Sequence, residues 1–130
     1  MKVKDRMIKK ITTITPKKSI SVAFDFLSKG DLKLLPVVDK DVLVGIIANK
    51  DILKYLMLSL DESFSKIELL KKIKVKEVMT TDVKTISPNT TFKEAAEIMS
   101  SHKISGLPVV EKGKLVGLIT ETTIMEEFIG

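Results

Sequence analysis

Few residues in this chain are equipped for bond-making chemistry. It has no cysteine, one histidine (His102) and one arginine (Arg6), and no paired carboxylates or nucleophile motif stand beside them. General acid–base work needs titratable groups gathered at one place, and covalent catalysis needs a hydroxyl, thiol or amine activated by a neighbouring base. With neither pattern present, the sequence argues against an enzyme. The polar residues that stand out lie where apolar runs end. Asp51 closes Gly45-Ile46-Ile47-Ala48-Asn49-Lys50-Asp51, and Thr120 sits inside Gly117-Leu118-Ile119-Thr120-Glu121-Thr122-Thr123. A carboxylate in the first turn of a helix is favoured by the dipole, and a threonine at a strand-to-helix boundary can cap the helix. Each therefore has a structural reading beside any ligand-binding one. His102 falls at the expected end of a helix, where a partly charged imidazole suits the negative end of the dipole.

The elements that position these residues come in two copies. Shifted by 72 positions, the sequence matches itself without a gap: Val3 falls on Val75, Met7 on Met79, Ala23 on Ala95, Gly45 on Gly117, and Leu35-Pro36-Val37-Val38 on Leu107-Pro108-Val109-Val110. All four prolines belong to matched pairs, 16 with 88 and 36 with 108, so the same backbone angle is fixed in each copy. The expected division of the chain is repeat 1 (1–60), a helical connector (61–74) and repeat 2 (75–130), together one module. In the connecting stretch Leu53, Leu56, Met57 and Leu60 recur at helical spacing, and after Asp61-Glu62 a second set follows, Phe64, Ile67, Leu70 and Ile73.

Within repeat 2, Thr91 followed by Glu94 reads as a capping box, and Phe92, Ala95, Ala96 and Met99 follow helical periodicity, predicting a helix over about 91–102. Repeat 1 carries the same stripe as Ile20, Ala23, Phe24 and Leu27, with Ser19 as its cap. Two short β-branched strands follow in each copy, Leu34–Val38 with Val42–Ala48 and Leu107–Val110 with Lys114–Thr120. Gly113 is placed to supply the positive φ of a tight hairpin. A closing helix begins near 50 and 121, and a leading strand is expected near Ile11–Ile14 and Val83–Ile86. The fold class is α/β (α+β), two β-α-β-β-α repeats in which each needs the other to cover the second face of its apolar strands.

Composition narrows the setting. Hydrophobic residues make up 44% and aromatics 5%, so the core rests on Ile, Leu, Val, Ala and Met. The absence of cysteine fits a reducing compartment, and the cytoplasm is the expected location. No apolar run approaches the roughly 20 residues that span a bilayer, and the start Met1-Lys2-Val3-Lys4-Asp5 lacks a signal peptide's hydrophobic stretch. The net charge of +5 is almost all lysine spread along the chain, which reads as solvated surface, and nucleic-acid binding is disfavoured.

Three segments, Met79 to Pro88, Ile104 to Val110 and Gly113 to Thr120, with their counterparts in the first copy, resemble CBS repeats, the cystathionine-β-synthase-type module. The resemblance implies two repeats packed through their sheets with pseudo-twofold symmetry. It implies a non-catalytic regulatory unit, similar among stand-alone pairs to acetoin-utilisation-type proteins and commonly a homodimer, with no obligatory cofactor. It also implies clefts between the repeats that hold AMP, ADP, ATP or S-adenosylmethionine, and relay of binding to a protein partner. The family signature is G-h-h-T-x-x-D, where h is apolar: the carboxylate accepts from ribose hydroxyls and the threonine meets phosphate. Both copies depart from it. Repeat 1 keeps Asp51 but has Ala48 in place of threonine; repeat 2 keeps Thr120 but has Thr123 in place of aspartate. By the same resemblance the Asp51 cleft is lined by Ile47, Lys33, Thr80, Thr81, Val83, Ile104 and Ser105, with Lys33 standing in as a phosphate partner. The mirror cleft uses Thr120, Ile119 and Ser105 with Ile8, Lys9, Lys10 and Leu32. The alternative is a module that binds no small molecule and serves to dimerise or dock a partner.

Overall fold

The computed structural model describes residues 1–30, 33–58 and 66–130, which form two compact units, Thr12–Val83 and Met1–Ile11 with Lys84–Gly130. The units are offset from the sequence repeats, because each takes its leading segment from the other copy.

In the Thr12–Val83 unit, helix α1 (Ile20–Lys29) starts at Ser19, whose hydroxyl accepts the Val22 N–H at 3.4 Å, as the sequence predicts. Its buried face is Ile20, Ala23 and Leu27. Strands β1 (Leu34–Asp39) and β2 (Val42–Ala48) form an antiparallel hairpin in which Leu34 faces Ala48 and Asp39 faces Val42. Lys40 and Asp41 make the turn at φ of 51° and 69°, so repeat 1 achieves without glycine the left-handed pair that such a hairpin requires. Helices α2 (Asn49–Leu58), α3 (Lys66–Lys72) and α4 (Val75–Val78) follow. The core is Ile14, Ile20, Ala23, Leu27, Leu35, Val37, Ile47, Ile52 and Val75. Alanine at 23 leaves the room that lets the helix settle on Leu35, Val37 and Ile47.

The second unit repeats the plan. A 3₁₀ turn (Val3–Asp5) precedes α5 (Phe92–His102), β3 (Gly106–Glu111), β4 (Lys114–Thr120) and α6 (Glu121–Ile129). The Thr91 hydroxyl accepts the Glu94 N–H at 3.1 Å. Lys112 and Gly113 turn the hairpin at φ of 53° and 80°, the glycine doing what its position predicts. Val3, Ile86, Phe92, Ala95, Met99, Leu107, Val109, Ile119 and Ile124 form the core, residue for residue close to the first set. The leading segments dock alike: Val75 N–H donates to Lys18 O and Val3 N–H to Thr90 O, both at 2.8 Å.

The expected leading strands are not formed. Each is a single bridging residue, Ile14 beside Val37 and Ile86 beside Val109, both parallel. Ile14 N–H donates to Pro36 O and Val38 N–H to Ile14 O. The next donor in that ladder would be residue 16, a proline with no N–H, and residue 88 repeats the interruption. In the connector, Leu32, Leu60, the Asp61-Glu62 break and Phe64 fall outside the described residues; α2 and α3 supply the two helical pieces expected on either side. No described helix is long and apolar enough to cross a membrane.

Candidate functional site

Asp51 stands in the first turn of α2, directly after the apolar strand β2. One carboxylate oxygen, Oδ2, accepts the Ala48 N–H at 2.8 Å; the other, Oδ1, accepts the Thr80 hydroxyl at 3.0 Å. The first contact is half of a capping box, the residue three places into the helix reaching back to the N–H at its start. The second crosses 29 positions of sequence, with Thr80 itself held by a two-way backbone exchange with Ile46: N–H to O of 2.8 Å one way and 2.9 Å the other. The carboxylate is half-buried, and each of its oxygens keeps a lone pair beyond the contact it already makes.

Repeat 2 carries the other half of the capping box. The Thr120 hydroxyl accepts the Thr123 N–H at 3.3 Å and lies 3.2 Å from the Thr123 hydroxyl. Thr120 is therefore the N-cap of α6, which is its structural reading. The threonine and aspartate of the family signature thus occupy the N-cap and the third helical position, and each repeat has retained one of them.

The remaining candidates divide between the units. Lys33, Thr80 and Thr81 are exposed and Val83 half-buried, all in the Asp51 unit. Lys33 precedes Leu34, which pairs with Ala48, so it lies at the same end of the hairpin as the start of α2. Ile47 and Ile119 are fully buried members of their two cores and present no surface to a ligand as they stand. Ser105 and Ile104 belong to the other unit. The Ser105 carbonyl accepts the Glu121 N–H at 2.9 Å, and Ile104 lines a hollow of about 210 Å³ between α5 and α6 with Ala96, Met99, Ser100, Glu121, Ile124 and Met125. Ile8, in that same unit, pairs with Leu118 through both backbone groups, and Lys9 and Lys10 are exposed. His102 ends α5 with Nδ1 3.1 Å from the Ile98 carbonyl. Among the described residues no group of three or more His, Asp or Glu is placed to hold a metal ion.

The sequence offered Thr80 only through the family resemblance and gave no sign that it meets Asp51; no local pattern links residues so far apart. A family model for the CBS domain matches residues 3–58 and 75–130, nearly the whole of both repeats. The chain belongs to the CBS domain family. Among relatives, the CBS domain-containing protein YhcV of Bacillus subtilis is 30% identical over 90% of this chain and 78% of its own length. Inosine-5'-monophosphate dehydrogenase of Thermoplasma acidophilum is 36% identical over 92% of this chain but only 22% of its own, so there the CBS pair is one part of an enzyme. Among solved structures, a Vibrio cholerae protein described as an acetoin utilization protein (AcuB) superposes at a TM-score of 0.85, with 32% identity, 99% of this chain and 90% of that one. The CBS domain pair of protein MJ0100, in complex with 5′-methylthioadenosine and S-adenosyl-L-methionine, matches at 0.81, with 32% identity and full coverage of both. This chain is a CBS pair, a regulatory type of module.

Proposed function

We propose that this CBS pair is a sensor for an adenosine-containing ligand of the AMP, ADP, ATP or S-adenosylmethionine kind, taken at Asp51. The observation that carries this reading is the Asp51 carboxylate, placed at the opening turn of α2 with both oxygens oriented and a lone pair free on each, as a ribose diol requires. A relative of the same fold binds two adenosyl compounds, which supports the ligand class. Lys33, exposed at the same end of the hairpin, supplies a point charge for a phosphate or carboxylate in place of the threonine missing at 48. Regulation follows only if the ligand binds two arrangements of the protein unequally, the change being relayed to another protein or a second copy. Calorimetry of the full chain with AMP, ATP and S-adenosylmethionine tests the reading: saturable binding of at least one, abolished by Asp51→Ala, is the expected result. No heat and no change in melting temperature with any of the three at millimolar concentration would overturn it.

A second reading has its own support. Leu53 and Met57 on α2 are 59% and 64% exposed, and at the matched end of the other repeat Met125, Phe128 and Ile129 on α6 are 49%, 66% and 86% exposed. Apolar faces of this kind suit homodimer formation or docking of a partner protein, with or without a small molecule.

A further inference from the structure

Repeat 1 and repeat 2 build the same backbone frame at the start of their closing helices and then treat it differently. Ile46 and Thr80 exchange both backbone hydrogen bonds, at 2.9 and 2.8 Å; Leu118 and Ile8 do the same, at 2.9 and 2.8 Å. At the 72-residue shift Thr80 corresponds to Ile8, and Asp51 to Thr123. Both members of the side-chain pair are therefore replaced together in repeat 2, while the backbone beneath them is kept.

We propose that Thr80 is the positioning residue for Asp51, and that this pair, present only in repeat 1, gives the chain one ribose-reading site rather than two. This rests on the function proposed above and adds to it the number of sites and the residue that makes the site selective.

An aspartate whose carboxylate has one fixed contact turns broadly about its last bond. With Ala48 N–H on Oδ2 and the Thr80 hydroxyl on Oδ1, the plane is set by two donors on different oxygens, and each oxygen keeps acceptor capacity for a ligand. Such a pair of acceptors suits a vicinal diol. The Thr80 hydroxyl has one proton, and it is committed to Asp51; its backbone N–H and C=O are committed to Ile46. Thr80 therefore acts on a ligand through Asp51. Isoleucine at 8 and threonine at 123 provide no carboxylate and no donor to orient one. Thr123 turns its hydroxyl to Thr120 instead, leaving a capped helix.

The test is calorimetry of the full chain with AMP, ATP, S-adenosylmethionine and 2′-deoxy-AMP on wild type, Thr80→Val and Thr80→Ser. The expected results are a stoichiometry near one per chain for the ribonucleoside ligand that binds and a loss of roughly three- to tenfold in its affinity in Thr80→Val, the range of one hydrogen bond. Affinity within about twofold of wild type is expected in Thr80→Ser, which keeps the hydroxyl. A merely structural role for Thr80 would weaken ribo and deoxyribo ligands alike; a positioning role lowers the preference for AMP over 2′-deoxy-AMP. Two sites per chain, or wild-type affinity and preference in Thr80→Val, would overturn this inference and leave the sensor reading standing. Failure of wild type to bind any of AMP, ATP and S-adenosylmethionine would overturn both.

Discussion

The sulfur of Met79 lies against Gly45 so closely that a Cβ on the glycine would stand 2.7 Å from it, and 2.9 Å from the carbonyl oxygen of Thr80. Gly117 repeats the arrangement with Met7, whose sulfur would be 2.5 Å away, but there the nearest backbone atom, Ile8 O, is at 3.3 Å. A methionine side chain can move aside, whereas the Thr80 carbonyl is held by Ile46. Gly45→Ala should therefore destabilise by about 1–3 kcal/mol and Gly117→Ala by less, as overpacking costs do. Urea unfolding checks the order, and equal effects would show that the methionine sets the cost at both positions. Because Thr80 would shift with its carbonyl, Gly45→Ala should also weaken ligand binding at Asp51.

Thr120 separates capping from ligand binding. Its hydroxyl accepts the Thr123 N–H, so Thr120→Ala should cost about 1 kcal/mol of stability, the usual loss for an N-cap, without altering affinity for the ligand held by Asp51. Parallel unfolding and calorimetry check both halves of this expectation.

Arg6 reaches Glu127 at 2.6 Å and Glu126 at 3.4 Å, tying the leading segment to α6 within its unit. The Arg6 side chain is 40% exposed, so solvent and salt screen the pair. Arg6→Ala should cost no more than about 1 kcal/mol, and the difference from wild type should shrink in high salt. Thermal melting at low and high sodium chloride measures it.

The exposed faces of α2 and α6 predict association. Met57→Lys and Phe128→Lys should each lower the apparent mass in light scattering toward that of one chain, and should lower the melting temperature and make it independent of protein concentration, because association stabilises the folded chain. A wild-type protein of single-chain mass at micromolar concentration would contradict the homodimer.

Both β2 and β4 were legible to the residue, because a run such as Val42–Ala48 is bounded on both sides by signals that physics makes local, a polar turn before and a helix start after. The caps at Ser19 and Thr91 were legible for the same reason. The leading strands were misread because apolar content around Ile14 and Ile86 says nothing about the missing proline donor two residues on. The short turns at Val3–Asp5 and Val75–Val78 span too few residues to show a period, although the Lys2 and Lys74 N–H groups are met by Asp5 and Glu77 at 3.0 and 2.7 Å. At the site, Asp51 and Thr120 were visible as types in place. Their division of a capping box is local, three residues apart in each copy, whereas the tie from Asp51 to Thr80 crosses 29 positions and emerges only once distant segments are brought together.

The most direct measurement is a crystal structure of the full chain grown with S-adenosylmethionine or AMP. Ribose density is expected with its hydroxyls within hydrogen-bond distance of both Asp51 oxygens, and none beside Thr123. A nucleoside bound away from Asp51, or an Asp51 carboxylate still contacted only by Ala48 and Thr80 at saturating ligand, would contradict it.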